Sequence, residues 1–135
     1  MRARLIKSLR LPPVPGSVAQ ARRRVDDVAH LLPKDELDDV RLMVSELVTN
    51  SIRHGDLRPE DTIELRFEAR EDALRISVRD PGAGFSPDPA DRDGEHGWGL
   101  FLVGRLADRW GVSRGARDTT VWFEVGIEEP RIEAR

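Results

Sequence analysis

The chain has 135 residues, 25 of them acidic and 22 Lys or Arg, for a formal net charge of −3, and it has no cysteine. That length predicts one domain able to bury a core without staples. The composition excludes disulfides and thiolate metal sites and argues against direct nucleic-acid binding, which needs a basic footprint. Residues 1–11 are basic but lack the apolar stretch of a signal peptide. No apolar run is long enough to span a bilayer. The expectation is a soluble, cytoplasmic protein that binds neither membrane nor nucleic acid.

Arg4 to Leu11 reads as a short strand, ended by Pro12, Pro13 and Pro15. Ser17 is placed to cap a helix running to about Leu32. Val18, Ala21, Val25, Val28, Ala29 and Leu32 form its apolar stripe. Arg22, Arg23 and Arg24 fit a solvated face. Pro33 interrupts, and a second helix is expected from about Lys34 to His54, with Asp35 and Glu36 in its first turn, where the helix dipole favours negative charge. Leu37, Val40, Val44, Leu47, Val48 and Ser51 mark its buried side, and Gly55 is its stop.

Thr62 to Ala69 and Ala73 to Arg79 both alternate apolar with polar residues, the period of a half-buried strand. The short turn between them makes a hairpin. Asp80 to Gly99 is rich in Gly, Pro and Asp and long for a connector, which marks a functional loop. A third helix spans roughly Trp98 to Arg109, followed by strands at Trp110 to Arg114 and Thr119 to Gly126. The residues from Glu128 onward form a charged tail. The order predicts an α+β fold of two layers: a mixed, mainly antiparallel sheet with helices on one face.

Three groups of residues carry chemistry. Glu46 and Asn50 lie four apart on the second helix and therefore share a face beside the apolar stripe. A carboxylate there can orient or deprotonate an attacking hydroxyl, and an amide oxygen suits Mg²⁺. A plain pair of surface polar residues fits the same spacing. Arg53 and His54 continue that face. Asp80-Pro81-Gly82-Ala83-Gly84 follows a strand. It makes either a simple turn or a flat seat for a base, with Asp80 accepting from an exocyclic amine. Gly97-Trp98-Gly99-Leu100 opens a helix whose N–H groups and dipole can hold an anion. It matches neither a P-loop nor a dinucleotide fingerprint.

Taken in order, Glu-x-x-x-Asn on a helix, Asp-x-Gly-x-Gly after a strand and Gly-x-Gly-Leu at a helix start resemble the GHKL ATPases, the relatives of gyrase and the histidine kinases. The resemblance covers a core of roughly residues 14–125 within the single domain 1–135. It implies the Bergerat ATP-binding fold, with ATP and Mg²⁺ as cofactors. By that resemblance Glu46 is the catalytic carboxylate and Asn50 the Mg²⁺ ligand. Arg53 lies at the nucleotide, Asp80 reads adenine, and Gly82 and Gly84 form the hinge under the base. Residues 86–96 form a short lid, and Gly97, Trp98, Gly99 and Leu100 make the phosphate-binding helix entry. Thr120 resembles the threonine beside adenine, although Thr119 precedes it and either can face the base. Trp98 stands where many relatives carry a smaller or basic residue.

The short stretch before the first helix leaves no room for the dimerisation helices of a histidine kinase. The layout instead resembles the anti-sigma-factor serine kinases. That resemblance implies two protein partners, a sigma factor and an anti-sigma-factor antagonist, the second being phosphorylated on Ser or Thr. The alternative is a nucleotide-binding regulatory module that transfers no phosphate. The exposed first strand leaves room for a homodimer.

Overall fold

The computed structural model describes residues 4–82 and 98–127. Strand β1 (Arg4–Leu11) is followed by helix α1 (Gly16–Arg24) and by α2 (Leu37–His54). Next come the hairpin β2 (Ile63–Arg70) and β3 (Ala73–Asp80), helix α3 (Trp98–Leu106), and the hairpin β4 (Arg109–Arg114) and β5 (Thr119–Gly126). The strands form one sheet in the order β1-β2-β3-β5-β4. Every pairing among them is antiparallel, so the sheet is not mixed as expected.

The alternation in β2 and β3 sends Ile63, Leu65, Phe67, Leu74, Ile76 and Val78 inward, all essentially inaccessible to water. Val121, Phe123 and Val125 of β5 extend that face. Against it pack Ala21 of α1, Val40, Met43, Val44, Leu47 and Val48 of α2, and Val103 of α3. Burial of these side chains, worth about 1.5–3 kcal/mol each, holds the helical layer on the sheet. No helix among the described residues is long and apolar enough to cross a membrane.

The first helix departs from expectation. Its α-helical part ends at Arg24, and residues Val25–Leu31 form a 3₁₀ helix. Val25, Val28 and Leu31 are all buried. A spacing of three aligns them on one side of a helix with three residues per turn. Pro33 then holds Leu32 in an extended conformation (φ −103°, ψ 143°). A second short 3₁₀ turn, Lys34–Glu36, leads into α2, which begins three residues later than expected. Ser17 does not cap α1. It is buried in the first turn and its hydroxyl donates to the Pro12 carbonyl at 2.6 Å, tying the helix to the end of β1.

Gly55 does end α2, but not through a left-handed backbone: its φ is −79°, and Asp56 takes the positive φ of 54°. Glycine is needed there for close approach. A Cβ on Gly55 would lie 2.6 Å from the Ser51 carbonyl oxygen, and one on Gly82 would collide with the Gly55 carbonyl. The end of α2 and the turn after β3 therefore touch backbone to backbone.

Candidate nucleotide-binding site

That contact sets the geometry of the site. Asp80 is the last residue of β3 and lies on the inner face, 3% exposed. One carboxylate oxygen accepts from the Ser51 hydroxyl at 2.6 Å, and the other accepts from the Gly82 N–H at 2.8 Å. Burial pushes the Asp80 carboxyl above its ordinary value, helped by the negative charges of Asp118 and Asp61; the two hydrogen bonds pull the other way. A carboxylate offers about four acceptor positions. Asp80 therefore keeps capacity for a further donor, such as an exocyclic amine.

Asn50 precedes Ser51 on α2 and is only 7% exposed, with its amide nitrogen buried and without a hydrogen-bond partner. A buried polar group with no partner costs about 1–3 kcal/mol, and such groups cluster where a ligand supplies the missing contact. The orphaned atom is the amide nitrogen, a hydrogen-bond donor, and which end of the amide is nitrogen is itself assigned from the surroundings. Glu46 lies one turn earlier and is half-exposed. The spacing argument placed both residues at the rim of the core; the structure keeps Glu46 there and draws Asn50 inside. Arg53, on the following turn, is exposed.

The two threonines separate cleanly. Thr119 pairs with Asp80 across the strands, is 1% exposed, and donates to the Gly82 carbonyl at 3.3 Å. Thr120 pairs with Arg79 and so belongs to the opposite face. The structure thus puts Thr119, rather than Thr120, beside the Asp80 carboxylate. Ser51 was read only as part of the apolar stripe, yet it holds Asp80 in place. A hydroxyl in an otherwise apolar stripe, next to Asn50, was the available signal for it.

Trp98 and Gly99 open α3, and Leu100 is half-buried against the core. Helix α3 packs on α2. Gly84, Gly97 and the lid at residues 86–96 lie outside the described residues, as does the tail at 128–135.

The residues present fit a nucleotide with its metal. Asp80 offers spare acceptor capacity, and the buried amide nitrogen of Asn50 lacks a partner. Among the described residues no cluster of three His, Cys, Asp or Glu is placed to bind a metal.

Comparison with known proteins bears on the family and the fold. Residues 11–125 match the family model of the histidine kinase-like ATPase domain. Two curated relatives, the serine-protein kinase RsbW of Staphylococcus aureus strains RF122 and MRSA252, are each 31% identical over 108 residues. Those alignments cover 69% of this chain and 62% of the relative, so the chain spans under two thirds of their length. The fold is similar to that in the crystal structure of the RsbU and RsbW domains of Rv1364c from Mycobacterium tuberculosis. That likeness has a TM-score of 0.68 at 20% identity and covers 93% of this chain and 34% of that one. It is also similar to the histidine kinase domain of the blue-light activated histidine kinase EL346 from Erythrobacter litoralis, with a TM-score of 0.59 at 20% identity, covering 87% and 62%. With the three motifs, the two-layer fold and the Asp80–Ser51–Asn50 corner in place, the chain belongs to the histidine kinase-like ATPase family.

Proposed function

We propose that this chain is an ATP-dependent protein serine/threonine kinase acting as an anti-sigma factor. In this reading it holds a sigma factor and phosphorylates an anti-sigma-factor antagonist that competes for it in the cytoplasm. The observation that carries the reading is the buried Asn50 side chain with its unpartnered amide nitrogen, one turn from Glu46 and adjacent to the Ser51–Asp80 hydrogen bond. The 31% identity to serine-protein kinases supports the same chemistry.

MgATP supplies the activated phosphoryl group and the positive charge that such a transfer needs. The chain's own part is positioning and electrostatics, which is most of what phosphoryl transfer requires. Asp80 accepts a hydrogen bond from the exocyclic amine of the base and so selects adenine. The Asn50 side chain would hold Mg²⁺ through its amide oxygen. The N–H groups at the start of α3, with Leu100 seated on the core, would hold the phosphates. Glu46, at the solvent edge, takes or orients the proton of the incoming serine hydroxyl.

The test is incubation with γ-labelled ATP, Mg²⁺ and a candidate antagonist. Label is expected on the antagonist, lost in Glu46→Ala although that variant still binds MgATP. Binding without any transfer to the antagonist sinks the kinase reading and leaves a regulatory module that holds nucleotide.

A further inference from the structure

The Asp80 corner has an outer side as well as an inner one. Arg79 precedes Asp80 on β3 and points to the opposite face of the sheet. Asp118 precedes Thr119, the first residue of β5. On the outer side the Arg79 guanidinium holds the Asp118 carboxylate: Nε donates to Oδ2 at 2.9 Å, and Nη2 lies 2.8 Å from the same oxygen. On the inner side the Thr119 hydroxyl donates to the Gly82 carbonyl. Two consecutive residues, Asp118 and Thr119, are therefore fastened on opposite faces to the end of β3 and the turn after it.

The turn between β4 and β5 is shaped around the same carboxylate. A Cβ on Gly115 would collide with Asp118 Oδ1, and the Gly115 N–H donates to the Asp118 carbonyl at 2.9 Å. Arg79 also reaches back to Glu64 of β2, whose Oε1 lies 3.6 Å from Nη1. One guanidinium thus links β2 and the β4–β5 turn across the end of β3. Two N–H groups converging on one oxygen set direction as well as distance.

We propose that Arg79 and Asp118 are a positioning pair for the Asp80 acceptor: the pair sets where Thr119 stands, Thr119 steadies the Gly82 turn, and the Gly82 N–H aims the carboxylate. The inference rests on the reading of Asp80 as the adenine acceptor and adds to it a pair that does not itself contact the base. The chain of contacts is short. Asp118 is covalently joined to Thr119, the Thr119–Gly82 bond is 3.3 Å and the Gly82–Asp80 bond is 2.8 Å. The 3.3 Å bond is the weaker of the two, and a shift of the turn breaks it first. Arg79 and Asp118 are 55% and 29% exposed, so the pair adds little to folding. Charge alone predicts the opposite of placement. The negative charge of Asp118 raises the proton affinity of Asp80. By charge alone, removing it favours the ionised acceptor and holds or strengthens ATP binding. By placement, removing it weakens ATP binding.

The experiment compares Arg79→Ala, Asp118→Ala and the double variant with the wild-type chain. In the ligand-free proteins, hydrogen exchange at the Gly82 amide should be about tenfold faster in each variant, with the core of the sheet unchanged and the melting midpoint within about 3 °C. At about pH 8, ATP affinity should fall about three- to tenfold in each single variant and GTP affinity less. The double variant should be no worse than the single ones, because the same interaction is lost in each. The proposal is overturned by Gly82 exchange at the wild-type rate, or by acceleration spread evenly over the sheet. It is equally overturned by ATP binding held or strengthened in Asp118→Ala, by equal losses for ATP and GTP, or by additive losses in the double variant. A wild-type chain that binds no ATP removes the adenine reading instead; local acceleration at Gly82 then still supports the pair, and its absence overturns it.

Discussion

Asp80 and Glu124 are both carboxylates, both almost fully buried, and lie on neighbouring strands of one sheet, yet their surroundings are opposite. Glu124 sits on the outer face under arginines. Arg75 donates to it at 2.8 Å, Arg109 at 2.7 and 3.1 Å, and Arg70 lies 3.8 Å away. Arg75 is itself stacked on Trp122, 3.8 Å from the ring centre. Burial pushes the Glu124 carboxyl up, but the arginines outweigh it and hold it below the ordinary glutamate value. Asp80 sits on the inner face with two neutral donors among the described residues, and burial wins. An acid that serves the fold is neutralised by cations. An acid left with a raised proton affinity and spare acceptor positions carries a cost that the fold does not need, which is the mark of a site.

Breaking the structural acid should have the larger effect. Glu124→Ala leaves three guanidinium groups around an empty position. Removing one partner of a buried ion pair costs about 3–5 kcal/mol. The low end is expected because Arg109 reaches water, so the melting midpoint should fall by about 10 °C. Nucleotide affinity should not change. Calorimetric melting and MgATP titration of the same variant check both halves; a loss of affinity with an intact fold would erase the distinction between the two acids. The pH dependence has a definite sign. The folded value of Glu124 is lowered from 4.5, so its contribution is fully present above the unfolded value and is lost as pH falls through the folded one.

Asp80→Asn should do the reverse, with little effect on stability and a clear effect on binding. A hydrogen bond to a charged group is worth about 1.5–3 kcal/mol, hence about ten- to a hundredfold in ATP affinity. GTP binding should fall less, because guanine does not present the same amine. Equal loss for both nucleotides would remove Asp80 as the adenine reader. Stability at neutral pH should change little, because the desolvation cost of the charge is gone but the amide has a single acceptor oxygen, so one of the Ser51 hydroxyl and the Gly82 N–H loses its acceptor.

The contrast between the two acids also marks how far the sequence could be read. The hairpins were legible because period-two alternation directly encodes which face is wet, and the boundaries of β2, β3 and β5 agree with it to within a residue. The place of Asp80 at the end of β3 was legible because the alternation runs up to it. Glu124 was not, because a glutamate on the polar face of a strand looks solvated until Arg75 and Arg109 are brought in by cross-strand register. The choice between Thr119 and Thr120 rested on that register as well, since a one-residue shift moves a side chain to the other face. The tightening of the first helix into 3₁₀ form escaped because residues three apart fit both helix types. Gly55 read as a simple stop, whereas its role is the backbone contact with Gly82, a tertiary fact.

The smallest expected effect isolates Ser51. Its hydroxyl donates to Asp80 and so favours the charged form, one of two bonds opposing desolvation. Ser51→Ala removes that bond and should raise the Asp80 proton affinity further. Above the folded Asp80 value, ATP binding should weaken by only about 1 kcal/mol, roughly fivefold. On acidification the two proteins diverge. Binding needs the ionised acceptor, so affinity is held above the folded Asp80 value and lost as pH falls through it. In wild type that loss begins above the ordinary aspartate value of 3.8. In Ser51→Ala it begins at higher pH still. Stability moves in the opposite sense, because the cost of burying the charge appears as pH rises through the same range and is absent below it. ATP titrations from about pH 4 to pH 8 for both proteins measure the shift. Coincident acid limbs would mean that the hydroxyl does not set the charge of Asp80, and that orientation alone is what Ser51 provides.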